Sequence, residues 1–389
     1  MNKLQLDKMA ETLTKQWYDA VVKACKLDPA HFQLAQGNMG IGMLSEDIWN
    51  VLNAIPPKSS SIFYDPSQYN LFSQGYSGVI SQLIPKDNGA LQNAMGEQAY
   101  GEWINYSKQT HDISKEAFKT WVMLNYPGQT EEWYGVYEDT WNHPVMLAQQ
   151  ALIDVRNEPN KDCFAYEKTI ATLKYSLLTS SRSHSVLMDS TNAWLGKTNS
   201  WTESHSASFH GFFKADGDSL YSGTAQKLVQ SKLTAKATFQ RLVNFAAGPL
   251  AVASKDQTLK KYTPWYNSAA LNIGYQSKNN LVWKLGQPDW ESTFGPKGNM
   301  QRVCSALIVV DGVEVTVTSD AIFSPEEQVE VKSRATAGFF PFFNENEPGS
   351  LLNTVSFDAT GKGTMSSRSP LGNPTIIGVM VYPITSRLG

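Results

Sequence analysis

Charge is scarce in this chain: Asp, Glu, Lys and Arg together make up 18% of its 389 residues, against about 25% in an ordinary globular protein. Lys and Arg total 33 and Asp and Glu 36, for a net charge of -3. A chain without basic excess lacks the electrostatic footprint that a phosphate backbone requires, which excludes nucleic-acid binding as a main function. The densest cationic cluster, Lys255, Lys260 and Lys261, reads as a solvated loop. Cysteine is sparse as well. Cys25, Cys163 and Cys304 are odd in number and far apart, so neither a disulfide framework nor zinc-ligand spacing can be read from them.

Long apolar runs are missing too. Nowhere do about 18 apolar residues follow one another, which argues against a transmembrane helix. The N-terminal stretch has charges spread through it and reads as a helix rather than a signal peptide. Cytoplasmic synthesis is expected, and export by a route without a cleaved signal stays open.

Catalytic signatures are absent in turn: there is no G-x-S-x-G elbow, H-E-x-x-H helix or G-x-G-x-x-G fingerprint. Asp358–Thr364 (DATGKGT) has the wrong glycine spacing for a phosphate loop and reads as a hairpin turn. Asp216-Gly217-Asp218 lacks the glutamate that a calcium loop carries at its twelfth position. The paired carboxylates Glu131-Glu132, Glu138-Asp139 and Glu326-Glu327 read as solvated. His184, His205 and His210 lie close in sequence, but 205 and 210 point to opposite faces of an extended strand. No metal or other cofactor is expected, and the balance leans away from an enzyme.

What the chain does contain is a change of texture near residue 180. Before it, apolar residues recur at helical spacing. Leu6, Met9, Leu13, Trp17, Ala20, Val21 and Ala24 form one face of a first helix, which Asp28-Pro29 ends. Further helices are expected over Ser45–Ala54 with Ser45 as N-cap, Ala90–Gln109, Ser114–Leu124, Glu131–Tyr137, Pro144–Val155 and Tyr166–Leu178. The aromatics Trp103, Trp121, Trp133, Trp141, Tyr100, Tyr106, Tyr126, Tyr134 and Tyr137 are best read as the core of this bundle.

After residue 180 the pattern becomes one of short alternating segments. Ser181–Asn192 reads as a linker. Ser204–Lys214 alternates partly and Lys232–Phe245 clearly, the latter with Leu233, Ala235, Ala237 and Phe239 on one side. Asp311-Gly312 between β-branched runs predicts a tight hairpin joining Ala306–Val310 to Val313–Thr318. Strands are also expected at Glu327–Ser333, Asn353–Phe357 and Thr375–Tyr382. The fold class is therefore α+β: a helical bundle-like domain over 1–180, followed by an antiparallel β-sandwich-like domain over 193–389.

Two features suggest binding. Phe339, Phe340, Phe342 and Phe343 surround Pro341 and would form an apolar knob if exposed or a corner of the core if buried. Trp265, Tyr266, Trp283 and Trp290 lie among Asn267, Asn272, Asn279 and Asn280, which suits a sugar, a protein surface or a buried inter-sheet cluster. With low charge and an uncharged polar surface, the leading expectation is a non-enzymatic structural or interaction protein, self-associating or binding a protein partner through its C-terminal β domain. The alternative is a membrane-active, toxin-like, pore-forming protein whose alternating segments Ser204–Lys214 and Lys232–Phe245 insert. An enzyme with a dispersed site near the three histidines ranks third.

Overall fold

A computed structural model describes residues 15–56, 71–85, 88–141, 143–158, 163–180, 183–191, 223–255, 259–279, 282–335 and 352–389. The α+β class holds, with a mostly helical N-terminal region and an antiparallel sheet of seven strands. All the described strands join this one sheet, so its second and third layers are helical where a sandwich would place a second sheet.

The helices follow from amphipathic spacing and local caps. α1 (residues 15–25) buries Trp17, Tyr18 and Val21. In α2 (Ser45–Asn53) the expected cap moves by one residue. Leu44 is the N-cap, Asp47 accepts its N–H at 2.9 Å, and the Ser45 hydroxyl instead accepts from Ile170 N–H at 3.1 Å. α3 (Phe72–Gln82) and α4 (Asn88–Thr110) follow. α5 (Lys115–Asn125) starts on Ser114, whose hydroxyl accepts from Ala117 N–H at 3.1 Å. α6 (Thr130–Trp141), α7 (Pro144–Asn157) and α8 (Ile170–Thr179) complete the N-terminal set. Trp103, Phe118, Trp121, Trp133 and Tyr137 are buried together between α4, α5 and α6. Phe118 stacks on Tyr137 at 4.0 Å, and the Tyr137 hydroxyl donates to Ile113 O at 2.6 Å, so a polar tip is satisfied inside a core.

The sheet begins with β1 (Phe32–Gly40), far from its neighbours in sequence. β2 (His184–Asp189) occupies the stretch expected to be a linker, because Val186 and Met188 alternate inward there. α9 (Gly223–Gln230) precedes β3 (Leu233–Ala246), and α10 (Ser268–Gln276) and α11 (Trp290–Phe294) separate β3 from β4 (Arg302–Ile322). α12 (Pro325–Ala335), β5 (Leu352–Phe357), β6 (Lys362–Ser369) and β7 (Thr375–Pro383) end the chain.

β4 runs for 21 residues, about 70 Å of extended chain. The predicted Asp311-Gly312 hairpin is therefore corrected: β4 passes straight through it, and its register against β3 holds from Leu233↔Ser319 to Ala246↔Ala306. What changes at this point is the partner on the other side. Residues up to Val310 pair with β7, and residues from Val313 pair with β6. The connection between β6 and β7 breaks out of line here, and Asp311 fills the gap. Its carboxylate, 3% exposed, accepts from Gly372 N–H at 2.8 Å and pairs with Arg241 at 3.3 Å. Gly312 supplies the positive φ of +67° that such a residue tolerates. The signal for backbone reversal thus marks a branch point in the sheet.

The two halves of the sheet differ in cover. In the β1-β7-β4-β3 half, α2, α3, α7, α8 and α10 bury one face against Leu307, Val309, Val379 and Val381. On the other face α1 packs against Ile308, Val310 and Met380. In the β5-β6-β4-β3-β2 half only the second of these faces is apolar.

Candidate functional site

That second half is where the chemistry of the sheet departs from a buried core. Its inward side chains are Val186, Met188, Ala235, Ala237, Phe239, Val313, Val315, Val317 and Met365. The outward positions form three rows across five strands, fixed by the pairing register. One row runs Ser356, Thr364, Thr318, Thr234, Asp189. The next is Thr354, Ser366, Thr316, Lys236, Leu187, and the third Leu352, Arg368, Glu314, Thr238, Ser185. Every one of these residues is exposed or half-buried. Hydroxyls dominate, and the four charged side chains are two of each sign. Water-facing alternation of this kind is the pattern of a sheet with one wet face.

Two of the site's strand pairs carry long connections, and both connections leave from the same end of the sheet. Residues 190–232 join β2 to its antiparallel neighbour β3, and residues 323–361, which include α12 and β5, lie between β4 and its neighbour β6. Lys362 pairs with Ile322, and Leu233 with Ser319, which places the two departures side by side. The described helices of these connections, α9 and α12, lie over the apolar face, with Leu228 and Val331 buried in it.

α12 corrects a further expectation. Glu327–Ser333 alternates as a strand does, yet forms part of a helix. A period-2 pattern on a helix cannot hold all its apolar residues on one side, so Val331 is buried at 1% while Val329 stands 68% exposed. The alternation also continues that of β4, whose odd-numbered residues face inward. Val329, Val331, Ala335, Ala337 and Phe339 keep the odd phase, with Glu327 and Ser333 breaking it, and Gln328, Glu330, Lys332, Arg334 and Thr336 keep the even one. Upstream of β3 the same phase is kept by Ala207, Phe209, Phe213 and Ala215 against Ser206, Ser208, His210 and Lys214, with Phe212 breaking it.

At the departure from β2, Asp189 organises the turn. Its Oδ1 accepts from the Thr191 hydroxyl at 2.7 Å and the Thr191 N–H at 2.9 Å, and Lys232 stands 3.2 Å away. These contacts, the hydroxyl first, hold its carboxyl down from 3.8 to about 2. Because the folded value is the lower one, the turn's stabilisation is full above the ordinary aspartate range and fades as pH falls from about 4 towards about 2. Protection of the Thr191 amide, its exchange corrected for the intrinsic pH dependence of amide exchange, is expected to fall over that interval and to be flat from pH 5 to 7. An Asp189→Asn chain should lack the transition.

The residues singled out from sequence fall in three places. Phe339, Phe340, Phe342 and Phe343 lie outside the described residues, as do His205, His210 and the segment Ser204–Lys214. His184 opens β2 opposite Phe239. Among the described residues no group of three or more His, Cys, Asp or Glu side chains could hold a metal. Trp265, Tyr266 and Trp283 are 0%, 6% and 3% exposed, so of the alternatives offered for this cluster they take the buried one. Their polar tips are turned to backbone: Trp265 Nε1 donates to Ala165 O and Trp283 Nε1 to Ser277 O, each at 2.7 Å, and the Tyr266 hydroxyl donates to Arg387 O. Trp290 is half-buried, donates to Tyr275 O at 2.7 Å, and carries Lys278 Nζ 3.5 Å from its ring centroid. The cluster packs helices α3, α10 and α11 together.

The hydroxyl rows escaped sequence reading because they need the register of five strands. The alternation in Glu327–Ser333 was visible, but its realisation as a helix depends on the face it lies on. The chain matches no protein-family profile, no curated protein and no solved structure.

Proposed function

We propose that this chain acts by association rather than catalysis, and that it self-associates at membranes, where its C-terminal sheet lengthens into the bilayer. The observation that carries this reading is the pair of connections, 190–232 and 323–361, set side by side at one end of two antiparallel strand pairs and continuing the in-out phase of those strands. A membrane-spanning strand needs about 9–11 residues, so each connection is long enough to go out and return as a hairpin. Every backbone group in such a hairpin is paired only when copies close into a barrel, which ties insertion to self-association. As 323–361 extends it draws β5 out of the sheet, which leaves β2 and β6 as the edges of this half among the described strands. No described helix is long and apolar enough to cross a membrane.

Dye release from vesicles of phosphatidylcholine, phosphatidylserine and cholesterol, over a range of pH, tests the reading, with native mass followed by light scattering. Val329→Lys is the informative variant. On the helix it changes an exposed position and is expected to alter stability by no more than about 0.5 kcal/mol. In an inserted strand the same position faces lipid, where a lysine costs about 2–4 kcal/mol near the midplane. Release should fall at least tenfold with folding unchanged. Absence of release by the unaltered chain in all the lipids would end the membrane reading. Growth of mass with concentration in that case would leave self-association through the β domain as the function, and a strict monomer would end that as well.

A further inference from the structure

α9 and α12 belong to different connections, yet they lie against each other. Two polar contacts join them. Lys227 Nζ of α9 is 2.7 Å from Glu327 Oε2 of α12, and the Thr224 hydroxyl of α9 donates to Glu330 Oε2 of α12. On each helix the two partners are three residues apart, so they stand on one face and the contacts are in register. Below them Leu228 and Val331 share one buried cluster.

Both ends of the ion pair are tied to the sheet's exit. Lys227 Nζ also donates to Ile322 O, the last residue of β4, at 3.4 Å, and Glu327 Oε2 also accepts from Ser324 N–H at 2.8 Å, capping α12. Loss of α9 therefore takes from α12 a cation that neutralises its capping carboxylate and a donor to its second turn. We infer that α9 and α12 are a single latch, opening as one unit so that the two connections leave the sheet together. This rests on the membrane reading for its purpose, but the coupling itself is a property of the folded chain in solution.

The test changes α9 alone and reads α12. Hydrogen exchange is followed in the full chain without lipid, for the unaltered protein, Lys227→Met and Thr224→Val/Lys227→Met. The expected result is faster exchange of α12 amides by about threefold in the single variant and about tenfold in the double. Dye release from the vesicles above should accelerate in the same order. Unchanged α12 exchange, with only α9 amides affected, overturns the latch. If the unaltered chain releases dye while that coupling is missing, the membrane reading survives and the latch does not. If the coupling is present and no vesicle leaks, the latch survives as a folding unit and the membrane reading falls.

Discussion

Asp311→Ala is expected to destabilise the protein by about 3 kcal/mol or more, read as a lower denaturant midpoint with an unchanged slope. Two losses combine at this position. Arg241, one quarter exposed, keeps its charge without the carboxylate that faces it, and Gly372 N–H loses its acceptor in the break between β6 and β7. Partial exposure of Arg241 holds the expectation to the lower end of the range for broken buried pairs. Arg241→Ala strands the other partner, a carboxylate only 3% exposed, and should be comparably damaging. In a double-mutant cycle the two losses should fall well short of adding, because each single change already removes the pair. Full additivity would mean that Asp311 acts only through Gly372.

Trp265→Ala should cost about 3–5 kcal/mol, the range for emptying a large aromatic site. The side chain is fully buried, and its ring meets Phe164 at 5.0 Å, Tyr76 at 5.5 Å, Tyr266 at 5.9 Å and Phe72 at 6.1 Å. These come from α3, from the segment before α8 and from the segment before α10, so one truncation loosens three connections at once. Trp265→Phe separates packing from hydrogen bonding. Ala165 O, which accepts the indole N–H, also accepts from Leu250 N–H at 2.9 Å and stays satisfied without the indole. The phenylalanine chain should therefore recover more than half of the loss. Equal midpoints for the two variants would assign the stability to the indole hydrogen bond.

Legibility followed the range of the interactions that decide each element. α5, α7 and β3 were readable because their caps and periods are local: Ser114 takes Ala117 N–H, and Leu233, Ala235 and Ala237 alternate inward. The Asp311-Gly312 turn was misread because what competes with a hairpin is distant. Arg241 and Gly372 hold the aspartate in place while β3 runs past unbroken. β2 hid in a polar stretch because only Val186 and Met188 carry its inward side. α12 was misread in the opposite sense, since its period-2 pattern argues for a strand and the folded chain makes a helix that leaves Val329 in water. Such disagreement between local pattern and fold is a local conflict of the kind that foldable sequences otherwise keep to a minimum. Of the site itself, the alternating segments were legible and the side-by-side placement of the two connections was not.

The pairing of β1 with β7 sets a schedule for synthesis. Phe32 lies opposite Met380 and Leu34 opposite Gly378, where an added Cβ would come 2.3 Å from the Phe32 ring. A ribosome adding about 5–20 residues per second delivers β7 tens of seconds after β1. For that interval β1 is an open strand edge, available to other nascent chains. The sheet can be completed only when residues 375–383 have emerged, so a truncation that removes β7 releases a chain whose first strand has lost the strand it pairs with among the described residues.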